Sequence, residues 1–187
     1  NDSDVPFTGQ NFSYRPYFAD ALQGGFGGFY GLGTTSQRRG YYFAAPIRQG
    51  GAITGVIAQK IDLDLLEESW RAAEYEIIVT DPEGIIFLSA RQDWSYSSLA
   101  PLSIEALQRS REVQRYADAQ IGVLPLRVTG SYDGDELVTV DDGGRSRGFL
   151  VIAQQMQDAG WTVRVLVDTA LARSQAWTMV LLAVLAI

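Results

Sequence analysis

Cysteine and histidine are both absent from the 187 residues, and lysine occurs once, at position 60, against fourteen arginines. The first two absences remove whole classes of chemistry. No thiolate or imidazole set can hold zinc, no histidine can ligate another metal, and no Ser-His-Asp or Cys-His nucleophile pair can form. A chain without cysteine folds without disulfides, which fits an exported bacterial domain of that kind. Positive charge is scarce as well: the net charge is −7. That balance argues against nucleic acid, because no basic face offsets phosphate repulsion. The deficit is uneven, since residues 1–70 carry five basic and seven acidic side chains and so lie near balance.

What is present suits a globular chain, with 47% hydrophobic and 20% charged residues. The length allows one large domain or two small ones, each able to bury a core. The stretch from Asn11 to Lys60 concentrates the residues with binding chemistry. It opens Asn11-Phe12-Ser13-Tyr14-Arg15-Pro16-Tyr17-Phe18, passes through Gly33-Thr34-Thr35-Ser36 and ends on Lys60. An arginine holds one carboxylate in a two-pronged hydrogen bond and a lysine serves another as a point charge. The hydroxyls of Thr34, Thr35 and Ser36 add neutral donors that fix orientation. Taken singly, each residue has an ordinary explanation: an arginine paired with a surface acid, a solvated lysine, threonines in a strand or turn.

As an ordered set they resemble a known family. The run Asn11–Phe18, then Gly33-Thr34-Thr35-Ser36, Arg39-Gly40-Tyr41-Tyr42-Phe43 and Gly55-Val56-Ile57-Ala58-Gln59-Lys60-Ile61-Asp62, is similar to the extracytoplasmic sensor of C4-dicarboxylate-sensing histidine kinases. In that family two PAS-like (Cache) domains stand in tandem between two membrane helices, and the membrane-distal one binds succinate, fumarate or malate. The resemblance implies an α+β fold of two antiparallel sheets with flanking helices. It places ligand contacts on Arg15, Thr34 and Lys60, with Ser13, Tyr14 and Ser36 beside them. It also implies a homodimer in the bacterial inner membrane, this segment being periplasmic, and a cytoplasmic response regulator served by a kinase core outside the segment. No cofactor, metal or catalytic residue is expected here. Alanine at Arg15 or Lys60 is expected to abolish binding with the fold intact.

Along the chain, Asn1–Gln10 is an acidic lead-in. The family's long N-terminal helix would precede it, so the first domain is expected to be incomplete. Pro16 suits the first turn of a helix over Pro16–Gln23, ended by Gly24-Gly25. Phe26–Thr35 is studded with glycine and suits backbone lying close to a ligand or an aromatic ring; it has no Gly-Lys-Ser/Thr phosphate loop. Gly40–Arg48 and Ala52–Asp62 predict a hairpin around Gln49-Gly50-Gly51, with Val56, Ala58 and Lys60 on one face. Asp64-Leu65-Leu66-Glu67 has capping-box spacing and predicts a helix to about Ala73, whose Leu65, Leu66, Ser69 and Trp70 would bridge two sheets. The expected boundary falls near residue 72, giving domains 1–72 and 73–168, followed by a helix over 169–187.

The second domain is expected to open strand–Asp81-Pro82-Glu83-Gly84–strand, over Glu76–Thr80 and Ile85–Ser89. Ser103 caps a predicted helix from Ile104 to about Tyr116 with a stripe of Ile104, Leu107 and Val113. Its Arg109, Arg111 and Arg115 read as a solvated face. Strands are expected over Tyr132–Val140, Arg147–Gln155 and Trp161–Val167, separated by Asp141-Asp142-Gly143-Gly144 and Asp158-Ala159-Gly160. Asp141-Asp142-Gly143 lacks the spacing and terminal Glu of a calcium loop, and the turn explains it. Trp177–Ile187 is eleven uncharged residues behind an interface-type tryptophan, expected as the first half of a membrane helix.

Two other functions fit the same residues. A Cache sensor for an amino acid or another carboxylate would use Asp20 or Asp62 for an ammonium group, and a ligand-free structural or interaction module would need no site. An enzyme is disfavoured, because Asp62/Asp64 and Glu67/Glu68 are explained by capping and a solvated helix face.

Overall fold

The structure is a computed structural model that describes residues 8–34, 38–124, 126–142, 144–157, 159–170 and 172. Thr35, Ser36 and the apolar run Trp177–Ile187 lie outside the described residues, and with them two of the three expected hydroxyl positions and the expected membrane helix. Among the described residues no helix is long and apolar enough to cross a membrane.

The chain divides into two compact units. The first comprises Asn1–Leu66 with Leu102–Gln120, and the second Glu67–Pro101 with Ile121–Ile187. Residues 102–120, expected in the second domain, group with the first.

In the first unit, helix α1 (Pro16–Leu22) starts on a proline at its first turn, where a missing N–H costs nothing. Strands β1 (Gly27–Leu32), β2 (Arg39–Gln49) and β3 (Ala52–Ile61) form an antiparallel sheet in the order β1-β2-β3. The glycine-rich segment is therefore largely a strand. Gly50 and Gly51 both take positive φ in the β2–β3 turn, which a side chain would oppose. A bulge between Ile47 and Arg48 shifts the register by one residue, so Tyr42 pairs with Lys60 and Ala44 with Ala58. One sheet face, bearing Phe29, Tyr42, Ala44 and Val56, packs with Tyr17, Phe18 and Ala21 of α1 and with Val113. On the opposite face Phe43, Ile47, Ile57 and Ile61 are exposed.

Helix α2 (Asp64–Trp70) stops three residues short of the expected end. Leu65 and Leu66 are exposed, and the buried residue is Glu67. Its carboxylate accepts the Ser89 N–H at 2.8 Å, so the helix buries a hydrogen-bonded acid in place of the expected leucines.

The second unit is a six-stranded antiparallel sheet in the order β5-β4-β11-β10-β9-β8, where β4 is Glu76–Thr80, β5 Ile86–Ser89, β8 Leu126–Tyr132, β9 Asp135–Asp142, β10 Arg145–Met156 and β11 Trp161–Asp168. A short parallel pair, β6 (Ser97–Ser98) with β7 (Gly122–Val123), lies beside it in sequence. Asp81 fixes the β4–β5 turn by accepting the N–H groups of Glu83 and Ile85. The core is apolar: Ile78, Ile86, Trp94, Leu124, Val138, Val140, Phe149, Val151 and Leu166 are all at most 5% exposed.

Two expectations change. Strand β8 was not anticipated, and the strand placed at Tyr132 is two strands turning at Asp133-Gly134, both with positive φ. Helix α3 (Ile104–Glu112), in the first unit, is capped by Ser103 as expected, Ala106 N–H to Ser103 Oγ being 3.1 Å. It ends earlier than expected, with Gln114 turning to positive φ, and it buries Ala106 while Ile104 is exposed.

Candidate ligand site

The residues just before α1 bring Arg15 to the first unit's core. Arg15 precedes α1, and its carbonyl accepts the N–H groups of Phe18 and Ala19. Its side chain makes no cap and turns inward, where it is 2% exposed. Nη1 donates to the carbonyls of Val113 (3.2 Å) and Gln114 (3.0 Å), and Nη2 to that of Leu32 (2.9 Å). The guanidinium lies against the rings of Tyr14 and Phe29, at 5.3 and 5.2 Å from their centroids. Arg15 thus ties the residues just before α1, the end of β1 and the segment after α3 together. A guanidinium has five N–H donors, and the three bonds leave two without an acceptor among the described residues.

Lys60 approaches from the end of β3. Directly paired residues share a face, and its ammonium lies 5.8 Å from the centre of the Tyr42 ring. Nζ donates to the Arg38 carbonyl at 2.9 Å, the same carbonyl that accepts the Gly33 N–H at 3.0 Å and closes the β1–β2 loop. Partial burial holds the amine below the ordinary lysine range, with Arg38 adding to the effect and Asp62 and Asp64 opposing it. Those two acids are otherwise engaged: Asp62 accepts the Asp64 N–H, and Asp64 pairs with Arg39 at 2.7 Å.

The β1–β2 loop carries Thr34, whose hydroxyl lies 3.3 Å from that of Tyr14. Tyr14, Arg15, Thr34 and Lys60 therefore all contribute to the surroundings of this loop and the sheet end beneath it. Ser13 sits apart: it is exposed, and its N–H donates to the Asn11 side chain at 2.9 Å. Ser36 is outside the described residues.

Sequence reasoning missed two tyrosines. Tyr17 stacks on Tyr42, with centroids 5.2 Å apart and planes 5° from parallel. Burial pushes the Tyr17 phenol up to about 12; Tyr42 and Tyr14 add to the rise, and Arg15 opposes it. Burial likewise raises Tyr42. Both rings are neutral around pH 7 and offer hydroxyl donors without negative charge. The alternation of β2, which sets Gly40, Tyr42 and Ala44 on one face, was the available signal. Among the described residues no cluster of acids could hold a metal ion.

This donor set is chemically suited to an anion. Two cations bond only to backbone carbonyls, while hydroxyls of tyrosine and threonine stand nearby, and no carboxylate pairs with either cation among the described residues.

The α+β architecture, with an antiparallel sheet in each unit, is that of a Cache or PAS-like sensor. No protein-family profile matches the chain. Two curated relatives do. The chain is 43% identical over 97 residues to the C4-dicarboxylate transport sensor protein DctB of Pseudomonas aeruginosa, an alignment covering 52% of this chain and 16% of that protein. It is 28% identical over 162 residues to the protein of the same name from Rhizobium meliloti, covering 86% and 26%. Among solved structures, the sensor domain of the V. cholerae histidine kinase DctB superposes with a TM-score of 0.77 at 29% identity, over 89% of this chain and 65% of that one. The chain is homologous to the DctB C4-dicarboxylate transport sensor proteins and has the fold of their sensor domain. These alignments span about a quarter or less of the length of the two curated relatives.

Proposed function

We propose that this chain is the extracytoplasmic sensor region of a bacterial two-component histidine kinase and that its first unit binds a C4-dicarboxylate such as succinate, fumarate or malate. The observation that carries this reading is the pair of cations, Arg15 and Lys60, without carboxylate partners among the described residues. Arg15 offers its two remaining N–H donors to one carboxylate, and Lys60 meets the other as a point charge. Thr34 and Tyr14 supply hydroxyls to orient the ligand. Ser13 and Ser36 belong to the proposal as flanking contacts on the segment before α1 and the loop.

In the whole protein, the first unit is the membrane-distal sensor and the second the membrane-proximal relay, in a homodimer anchored in the inner membrane with this region in the periplasm. Ligand binding favours one of two pre-existing arrangements in proportion to its differential affinity, and the second unit passes that bias to a membrane helix. The readout is histidine phosphorylation in a kinase core and transfer to a response regulator. This chain contains no histidine and supplies only the sensing step.

Thermal unfolding of the chain with added diacid tests the binding step. Succinate at about a hundredfold its Kd should stabilise the native state by about 2.7 kcal/mol. An unchanged transition with succinate, fumarate and malate, and a rise with aspartate alone, would replace the dicarboxylate reading with an amino-acid one.

A further inference from the structure

The two candidate cations lie over a pair of glycines. Gly31 of β1 and Gly40 of β2 are direct register partners, and both are buried. Their inward positions fall in the alternation that also carries Phe29, Tyr42 and Ala44. A Cβ on Gly31 would meet the Phe29 ring first, Cε1 at 2.5 Å, and then Arg15 Nη1 at 3.0 Å and the Arg115 carbonyl at 3.1 Å. A Cβ on Gly40 would overlap Lys60 Cε and come within 2.7 Å of its Cγ. Neither glycine has positive φ, so backbone conformation does not demand them. What each supplies is space, filled at Gly31 by the Phe29 ring and the guanidinium edge and at Gly40 by the lysine stem and the Ile61 carbonyl.

We infer that the Gly31–Gly40 pair is a positioning and specificity element, which seats the Arg15 guanidinium edge and the Lys60 stem side by side and so fixes the spacing of the two cations for a short diacid. This inference rests on the dicarboxylate reading given above. Paired Cα atoms in an antiparallel sheet are about 4.5–5.5 Å apart, which sets the scale at which the two side chains are held. With the stem lying across Gly40, Nζ reaches the Arg38 carbonyl at the base of the β1–β2 loop. A methyl group at Gly40 lifts the stem off the sheet and releases the ammonium to solvent. The site then loses a fixed second cation and, with it, its preference for one ligand length.

Lys60 is the only lysine, so one isotope-labelled side-chain amine reports its state directly. The experiment pairs an NMR titration of that amine with calorimetric binding of malonate, succinate and glutarate, in the wild-type chain and in Gly40→Ala. In the wild type the amine should titrate below the ordinary lysine range, and succinate should bind best. In Gly40→Ala the amine should return to the ordinary range. Succinate affinity should fall at least tenfold, and the three diacids should come within about threefold of one another. Wild-type binding whose affinity and length preference survive in a folded Gly40→Ala chain overturns the glycine inference alone. Absence of diacid binding by the wild type overturns the dicarboxylate reading and the specificity claim together. If Gly40→Ala does not fold, the wild-type titration decides: a freely hydrated Lys60 amine overturns the inference, and a depressed one upholds the seat.

Discussion

Two arginines, Arg147 in the second unit and Arg15 in the first, are answered differently. In the second unit Arg147 sits over the Phe149 ring, pairs with Asp168 at 2.9 Å and has Glu76 at 3.6 Å, so its charge is answered by acids. Beside it is a closed core of nine buried apolar side chains. In the first unit Arg15 is more deeply buried, yet among the described residues it bonds only to carbonyls, and Lys60 does the same. The first unit's core is also smaller and shares its sheet face with tyrosines and bare glycine backbone. A charge with its own acid stabilises a fold, whereas a charge left with dipoles retains attraction for an anion. That contrast supports the proposal that the first unit holds the ligand.

The comparison is broken or sharpened by substitutions of decreasing effect. Phe149→Ala opens a cavity in the second unit's core and should cost about 3–5 kcal/mol, seen as a lower denaturant midpoint for that unit. Arg15→Ala leaves the carbonyls of Leu32, Val113 and Gln114 without their donor. It should destabilise the first unit by about 3 kcal/mol while also weakening ligand binding. An unchanged unfolding transition would show that the carbonyl bonds contribute little and would bear out the expectation of an intact fold. Lys60→Ala is the cleaner probe. It removes one half-buried cation, should leave the unfolding transition within about 0.5 kcal/mol, and should weaken diacid binding by about 2 kcal/mol, roughly thirtyfold. Ser103→Ala should cost about 1 kcal/mol through loss of the α3 cap.

Tyr17 gives the comparison a pH axis. Its folded value, about 12, lies above the ordinary value of 10.0, so the neutral phenol is the form the fold favours. The associated stability is fully present below about pH 10 and is lost as pH rises through about 12. Tyr17→Phe should flatten the fall in first-unit stability across that window, as followed by denaturant titrations at stepped pH. An equally steep fall in the variant would assign the effect to other groups.

Much of the scaffold was legible because it is written locally. The hairpin glycines at 50 and 51, the Asp81–Gly84 turn and the Ser103 cap all act within a few residues of themselves. The β8 strand was missed although Asp133-Gly134 is a strong hairpin signal. Other features depend on partners distant in sequence. Glu67 is buried because the Ser89 N–H meets it, and Arg15 because the chain returns at Val113 and Gln114.

The register of β2 and β3 is the sharpest case. Counting back from the turn, where Gln49 pairs with Ala52, sets Gln59 opposite Tyr42. The bulge at Ile47/Arg48 moves that partner to Lys60 and so decides which face the lysine shares. The residues of the candidate site could be named from their resemblance to a family; the glycine floor and the tyrosine stack required the sheet.

The most direct test of the account is calorimetric titration of succinate into the chain and into Lys60→Ala, both checked for an unchanged fold. The account predicts saturable binding of one succinate per chain, weakened at least tenfold in the variant. Equal affinity in the two, or no binding by a well-folded wild type, would contradict it.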